Sequence, residues 1–256
     1  MAWRSSGATL AELVDNLAGH GMIPDARVKQ AFLAVDRAHY APRNPYQDAP
    51  QSIGHGVTIS APHMHAMAVK HLGEYVLGGD ERGQGRRVLD VGSGSGYLTH
   101  ILAQLAGEDG VVVGIEHIPA LCEQAKQNMA KSAQGRHLLE TGRVRFVVGD
   151  GRLGAPSSSG ESGESGESGE SDQSHPSTGP TSGTFDAIHV GASAATLPQP
   201  LVDQLRAPGR MFIPVNDEGD TEGNQSVWTI DKAADGTVTK TRLFGVRYVP
   251  LTDAPR

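Results

Sequence analysis

The stretch Arg87-Val88-Leu89-Asp90-Val91-Gly92-Ser93-Gly94-Ser95-Gly96 constrains this chain more than any other. Val88, Leu89 and Val91 make a short apolar run suited to a buried parallel strand. Glycines at alternate positions follow at once, and then Leu98, Ile101, Leu102 and Leu105 recur at helical spacing. The order is therefore strand, glycine turn, helix. Glycine is required where a backbone turns tightly and admits a ligand with no Cβ in the way. The free N–H groups at the helix start favour polar or anionic ligand groups. The spacing departs from the dinucleotide fingerprint G-x-G-x-x-G. Counted from Gly92, the third glycine falls one residue early at Gly96, and Tyr97 holds the expected place.

The rest of the chain repeats the strand–helix alternation. Val111 to Ile115 reads as a second buried strand ending at Glu116, with a helix from Pro119 to Met129. Val144 to Val148 is a third strand, ending at Gly149-Asp150-Gly151. Phe185 to Val190 is a fourth, followed by a helix from Leu197 to Leu205, a Pro208-Gly209 turn and a fifth strand from Arg210 to Val215. Gln225 to Ile230 and Leu243 to Val249 read as a closing antiparallel pair. Two amphipathic helices, over Leu10–Leu17 and Val28–Val35, precede all of this, and an irregular segment runs from Tyr40 to Ser60. Another helix carries Met64, Met67, Ala68, Leu72 and Tyr75. The expectation is an α/β, doubly wound, mostly parallel sheet with an N-terminal helical extension.

Residues 155–184 differ in kind. Gly-Glu-Ser recurs four times between Gly160 and Ser171, and the segment offers too little apolar surface to offset its ordering entropy. It is expected to be a disordered surface insertion. The chain then reads as one domain over 1–256, with 1–80 lining the substrate side and 86–154 plus 185–252 forming the α/β core. The net charge of −7 argues against a general nucleic-acid or membrane-surface binder. No apolar run approaches the ~20 residues of a membrane span, and the first residues lack a signal-peptide core. The single cysteine, Cys122, allows no intrachain disulfide. A cytoplasmic protein is expected.

The strand ends carry the chemistry. Glu116 lies about twenty residues beyond the glycine turn, where a carboxylate accepts from both hydroxyls of a ribose. Asp150 ends the third strand on the same edge and could accept from an adenine amino group. Ser60 has two readings: a helix cap for the segment starting at Ala61 or Pro62, or a group orienting a reacting carboxylate. His63 and His65 have an H-x-H spacing, but on a helix they diverge and no third ligand is evident. No metal is expected. Neither Ser93 nor Ser95 fits G-x-S-x-G.

Taken together, the motifs resemble a known family. Asp90-x-Gly92-x-Gly94-x-Gly96 is similar to the first motif of class I S-adenosylmethionine (SAM) methyltransferases. Tyr46-x-Asp48-x-Pro50-Gln51-Ser52-Ile53-Gly54 and Thr58-Ile59-Ser60-Ala61-Pro62-His63-Met64-His65 resemble the signature of protein-L-isoaspartate O-methyltransferases, closest to the eukaryotic form. Gly149-Asp-Gly-Arg152, Asp186-Ala-Ile-His-Val-Gly191 and Tyr248-Val-Pro-Leu-Thr252 follow in the same order. The resemblance implies methyl transfer from SAM to the α-carboxylate of L-isoaspartyl residues in damaged proteins, with S-adenosylhomocysteine as product. It implies Ser60 as the active-site serine. Ile53, Gly54, His55, Gly56 and His65 would line the cofactor and substrate sites. Asp90, Gly92, Ser93, Gly94, Gly96, Glu116, His117, Asp150, Gly151 and Gln225 would surround the cofactor. Isoaspartyl proteins and peptides are the implied partners, and a monomer is the family expectation. Relatives often carry glutamine just before the Thr-Ile-Ser run, where this chain has Gly56-Val57.

Two other readings use the same residues. A nicotinamide-dependent oxidoreductase could share the fold, but the early third glycine and the missing proton donor oppose it. A non-catalytic adaptor for damaged proteins would be expected to have lost Ser60 or the cofactor signature.

Overall fold

Capping side chains and apolar spacing account for the first helices of the computed structural model, which describes residues 5–78, 85–156, 185–217, 219 and 223–252. Helix α1 (Leu10–Gly19) turns Leu13, Val14 and Leu17 inward. Thr9 caps it by accepting from the Glu12 N–H, and Glu12 reaches back to the Ala8 N–H at 2.7 Å, a variant of the capping box. Helix α2 (Ala26–Ala34) is capped by Asp25 and buries Val28, Ala31 and Phe32.

The segment expected to be irregular contains an antiparallel hairpin, β1 (Gln51–Gly54) and β2 (Val57–Ile59). His55 at φ 53° and Gly56 at φ 71° make its left-handed turn. Strands this short carry no readable alternation. Helix α3 (Pro62–Leu72) follows, with proline in its first turn, where a missing N–H costs nothing.

The α/β part comprises β3 (Arg87–Val91), α4 (Tyr97–Leu105), β4 (Val111–Glu116), α5 (Pro119–Met129), α6 (Ala133–Glu140) and β5 (Val144–Val148). It continues with β6 (Phe185–Val190), α7 (Gln199–Gln204), β7 (Leu205–Asn216), β8 (Gln225–Lys232) and β9 (Val238–Val246). The main sheet has the order β5-β4-β3-β6-β7-β8-β9. Its first five members are parallel, and β8 and β9 close it antiparallel.

Alternation along β3 divides the core. Val88 faces a cluster with Leu102, Val112 and Phe212, while Leu89 and Val91 face Ile115, Ile188, Leu201 and Met211. Each fully buried aliphatic side chain contributes roughly 1.5–3 kcal/mol relative to exposure. Both faces of the sheet are covered, as a largely parallel sheet requires.

Several elements depart from expectation. Helix α6 buries only Gly135 and Leu138, too little apolar spacing to announce it. The expected Pro208-Gly209 turn lies inside β7 as an irregularity, since Phe185 pairs with Leu205 and Ala187 next with Arg210. Strand β9 begins earlier, at Val238, and ends at Val246. Its first five residues are exposed and mostly polar, so this edge strand carries no hydrophobic signal. The insertion was expected to be disordered from Ala155, but Ala155 donates to Gln204 Oε1 at 2.9 Å and packs on the core. The remainder of that segment, 157–184, lies outside the described residues. Among the described residues no helix is long and apolar enough to cross a membrane, and no group of three or more His, Cys, Asp or Glu could hold a metal.

Candidate active site

The strand order reverses between β3 and β6: from β3 the chain builds outward through β4 and β5, then returns to β6 on the other side. Ligands bind at the carboxyl ends of strands at such a switch point. A cavity of about 410 Å³ opens there, lined by the turn after β3, the end of β4, the turn after β6, the β1–β2 hairpin and the C-terminal segment. That volume suits a small-molecule site.

The glycine turn supplies one wall. Gly92 (φ 75°), Gly94 (φ 50°) and Gly96 (φ 83°) all adopt left-handed backbone that a side chain would strain. The Gly94 N–H donates to Glu116 Oε2 at 3.1 Å, and the Ile118 N–H donates to Glu116 Oε1 at 3.2 Å. Glu116 is thereby fixed in one rotamer at the end of β4. Each carboxylate oxygen retains a further acceptor position, which suits a pair of vicinal hydroxyls.

Asp90 works behind this wall. Register places Gly114, Asp90, His189 and Phe212 side by side across four strands. A carboxylate on the apolar face must be satisfied internally. Asp90 accepts from Thr99 Oγ1 at 2.6 Å and from His189 Nδ1 at 2.8 Å, while Phe212 stacks on the His189 ring. Both oxygens are engaged, so Asp90 organises the turn and His189. Gly114 leaves room for Ser93, whose Cβ would otherwise lie 2.9 Å from a Cβ there.

Ser60 lies between β2 and α3 and lines the same cavity. Ala61 occupies the cap position of α3 and no side chain caps that turn, so the capping reading of Ser60 does not hold. Its carbonyl accepts from Arg37 Nη2 at 2.8 Å. Its side chain meets the Tyr248 phenol, whose pKa burial pushes up while the bond with Ser60 opposes the rise. Arg37 Nη1 lies 3.4 Å from His65 Nδ1. His65 is held well below the ordinary imidazole pKa, first by burial and then by the positive charge of Arg37. It is therefore neutral at physiological pH. His63 instead turns to Asp48, 2.7 Å from its Oδ1.

The C-terminal segment lines the cavity as well. Gln225 clamps the Tyr248 backbone, accepting from its N–H at 2.6 Å and donating to its carbonyl at 3.3 Å. The Ser193 N–H donates to the Val249 carbonyl, the Leu251 N–H to the Ser193 carbonyl, and His117 Nδ1 to the Thr252 carbonyl.

Of the residues singled out in the sequence, His55, Gly56, Ser60, His65, Asp90, Gly92, Ser93, Gly94, Glu116, His117 and Gly151 line the cavity. Five stand off its wall. Ile53 packs behind Gly94, 3.5 Å from where its Cβ would be, and Gly54 serves the hairpin. Gly96 faces Ala125 and Phe146, each 3.0 Å from a built Cβ. Asp150 turns to Arg152, whose side-chain bonds lower its pKa. Gln225 acts through Tyr248. The lining residues not singled out include Thr58, Leu98, Ile118, His189 and Val249 to Thr252. His189 and the C-terminal run stood within sequence motifs, but only strand pairing shows that they meet the glycine turn.

Left-handed glycines without Cβ, a carboxylate poised for vicinal hydroxyls and a cavity at the switch point fit the nucleoside half of SAM. This fold and site define a class I SAM-dependent methyltransferase. The model for the family described as "Protein-L-isoaspartate(D-aspartate) O-methyltransferase (PCMT)" matches residues 8–160 and 175–256. A protein-L-isoaspartate O-methyltransferase of Caenorhabditis elegans is 41% identical over 252 residues, covering 98% of this chain and 96% of its own. One from Triticum aestivum is 39% identical over 242 residues, covering 94% and 90%. A Plasmodium falciparum structure, described as a protein-L-isoaspartate O-methyltransferase in complex with S-adenosyl-L-homocysteine, superposes with a TM-score of 0.75 at 32% identity, covering 97% of this chain and all of its own. The chain belongs to the protein-L-isoaspartate (D-aspartate) O-methyltransferase family.

Proposed function

We infer that this protein is a repair methyltransferase acting on the free α-carboxylate of L-isoaspartyl residues in damaged proteins and peptides. The observation that carries this reading is the placement of Ser60 and neutral His65 in one cavity with the Gly92–Gly94 turn and Glu116. Bound SAM supplies an electrophilic methyl on a sulfonium. The acceptor carboxylate, with a pKa of roughly 3–4, is already ionised at neutral pH. No general base is needed.

The protein's own task is alignment, with reacting atoms held about 3–3.5 Å apart. Glu116 and the glycine turn fix the nucleoside end of the cofactor. Ser60 offers the carboxylate one neutral donor. Transfer joins an anion to a sulfonium and yields two neutral products, so a fully charged partner would hold the reactants more tightly than the transition state. The segment from Val249 to Thr252 adds Val249, Pro250 and Leu251 to the lining. The backbone amide nitrogen then closes on the product ester with loss of methanol, and hydrolysis of the resulting succinimide returns part of it as L-aspartyl.

The protein is read as a cytoplasmic monomer forming one domain, with isoaspartyl polypeptides rather than nucleic acid or membrane as partners. The net charge of −7 argues against nucleic acid or an anionic membrane surface as the partner. Action on D-aspartyl residues belongs to the same proposal, since they too present a misplaced carboxylate. Calorimetric titration tests the cofactor side. SAM should bind and NAD should not, and Glu116→Gln should weaken SAM about 10-fold through lost charge-assisted bonds. Binding of NAD in preference to SAM would contradict the reading.

A further inference from the structure

Arg37 is fully buried, at 0% exposure, in a short 3-10 turn opened by Asp36. A buried guanidinium is expensive and is ordinarily paired with a carboxylate. Among the described residues none lies within ion-pair distance of it. Asp48 contributes only a longer-range attraction, and its Oδ1 is taken by the His63 backbone N–H and ring. The guanidinium instead lies 5.0 Å from the centroid of the buried Tyr97 ring. Its two terminal nitrogens reach Ser60 O and His65 Nδ1, at 2.8 and 3.4 Å. One cation thus grips two cavity-lining residues at the entry of α3.

The donor inventory fixes what this grip does. Arginine carries only donors, so His65 Nδ1 must be the acceptor and carries no proton. A neutral imidazole then bears its proton on Nε2, the ring nitrogen that the Arg37 contact leaves for the cavity. Burial and the neighbouring charge of Arg37 keep the ring from taking a second proton. We propose that Arg37 is a positioning residue for methyl transfer, anchoring the Ser60 backbone and setting His65 as a neutral Nε2–H donor in the cavity that Ser60 also lines. The acceptor carboxylate then meets two neutral donors whose spacing is set by one rigid fork. This rests on the reading of the cavity as the methyl-transfer site, but the Arg37–His65 arrangement is testable without turnover.

The test combines spectroscopy with kinetics on the full chain. Long-range proton–nitrogen NMR of the ligand-free wild type should show His65 as the Nε2–H tautomer. Arg37→Lys keeps the charge but loses the fork, and Arg37→Gln loses the charge. In both, kcat for an isoaspartyl peptide should fall on the order of 10–100-fold, with SAM affinity within about threefold of wild type. The NMR signature in the Gln variant should become a tautomer mixture. Wild-type His65 in the Nδ1–H tautomer would overturn the proposal, even if neither variant folds. Folded variants with undiminished kcat would overturn it as well. If the wild type itself transfers no methyl group, the functional reading fails, while the tautomer still decides the Arg37 arrangement.

Discussion

At Ser60 the chain places a hydroxyl in a segment that neither a strand nor a helix uses. The serine follows β2, precedes the α3 cap position and contributes its carbonyl to Arg37. Ser60 lines the cavity, and its side chain meets the Tyr248 phenol there. Removing one preorganised donor to a reacting oxygen typically lowers turnover by about 10²–10³-fold. Ser60→Ala is expected to lose kcat toward the lower end of that range, because His65 persists as a donor. SAM affinity should stay within about twofold, since Glu116 and the glycine turn are separate segments of the lining from Ser60. Parallel calorimetry and steady-state kinetics check the split, and a large loss of SAM binding would count against the role assigned to Ser60. The sequence exposes Ser60, Glu116 and the glycines because each stands at a motif or a strand end. It conceals Arg37 and Asp90's partners, because a lone arginine in a three-residue 3-10 turn has no periodicity and pairing across strands joins residues 99 apart.

Long apolar elements are legible and short or edge elements are not. Strands β3, β4, β5 and β6 follow apolar runs that burial explains directly. The hairpin β1–β2, helix α6 and the outer half of β9 bury too few side chains to leave a pattern. Docking of the N-terminal layer on α4 is likewise invisible in sequence, although it has a titratable joint. Tyr40 Oη lies 2.6 Å from His100 Nδ1, and His100 Nε2 is buried without a partner among the described residues. Burial pushes the His100 pKa down to about 4, with the charge of His39 adding to the shift. The folded value lies below the unfolded value of about 6.5. The unfolded chain therefore takes the proton first as pH falls. The contribution to stability is complete above about pH 6.5 and is lost as pH drops toward about 4, at roughly 1.4 kcal/mol per pH unit in between. His65 acts in the same direction. Unfolding measured from pH 7 to 4.5 should show this decline. His100→Gln should start less stable at pH 7, having lost the Tyr40 bond, and decline less steeply. Equal slopes for the two proteins would contradict the assignment.

At the scale of the whole molecule, the doubly wound topology brings together segments distant in sequence: the hairpin near residue 55, the turn at 92–96, the end of β4 and the run at 249–252. The α/β class follows from the order of strand-like and helix-like segments, which local patterning records. The C-terminal closure does not, because it depends on the Ser193 bridge and the Gln225 clamp. Those contacts hold the C-terminal run at a cavity that the proposed function divides between cofactor, at the glycine turn, and acceptor carboxylate, at Ser60. The most direct measurement is methyl transfer from labelled SAM to a peptide carrying one isoaspartyl residue, beside the same peptide with normal aspartate. A repair methyltransferase places base-labile label on the isoaspartyl peptide alone. Equal labelling of both peptides, or none on either while SAM binds, would contradict it.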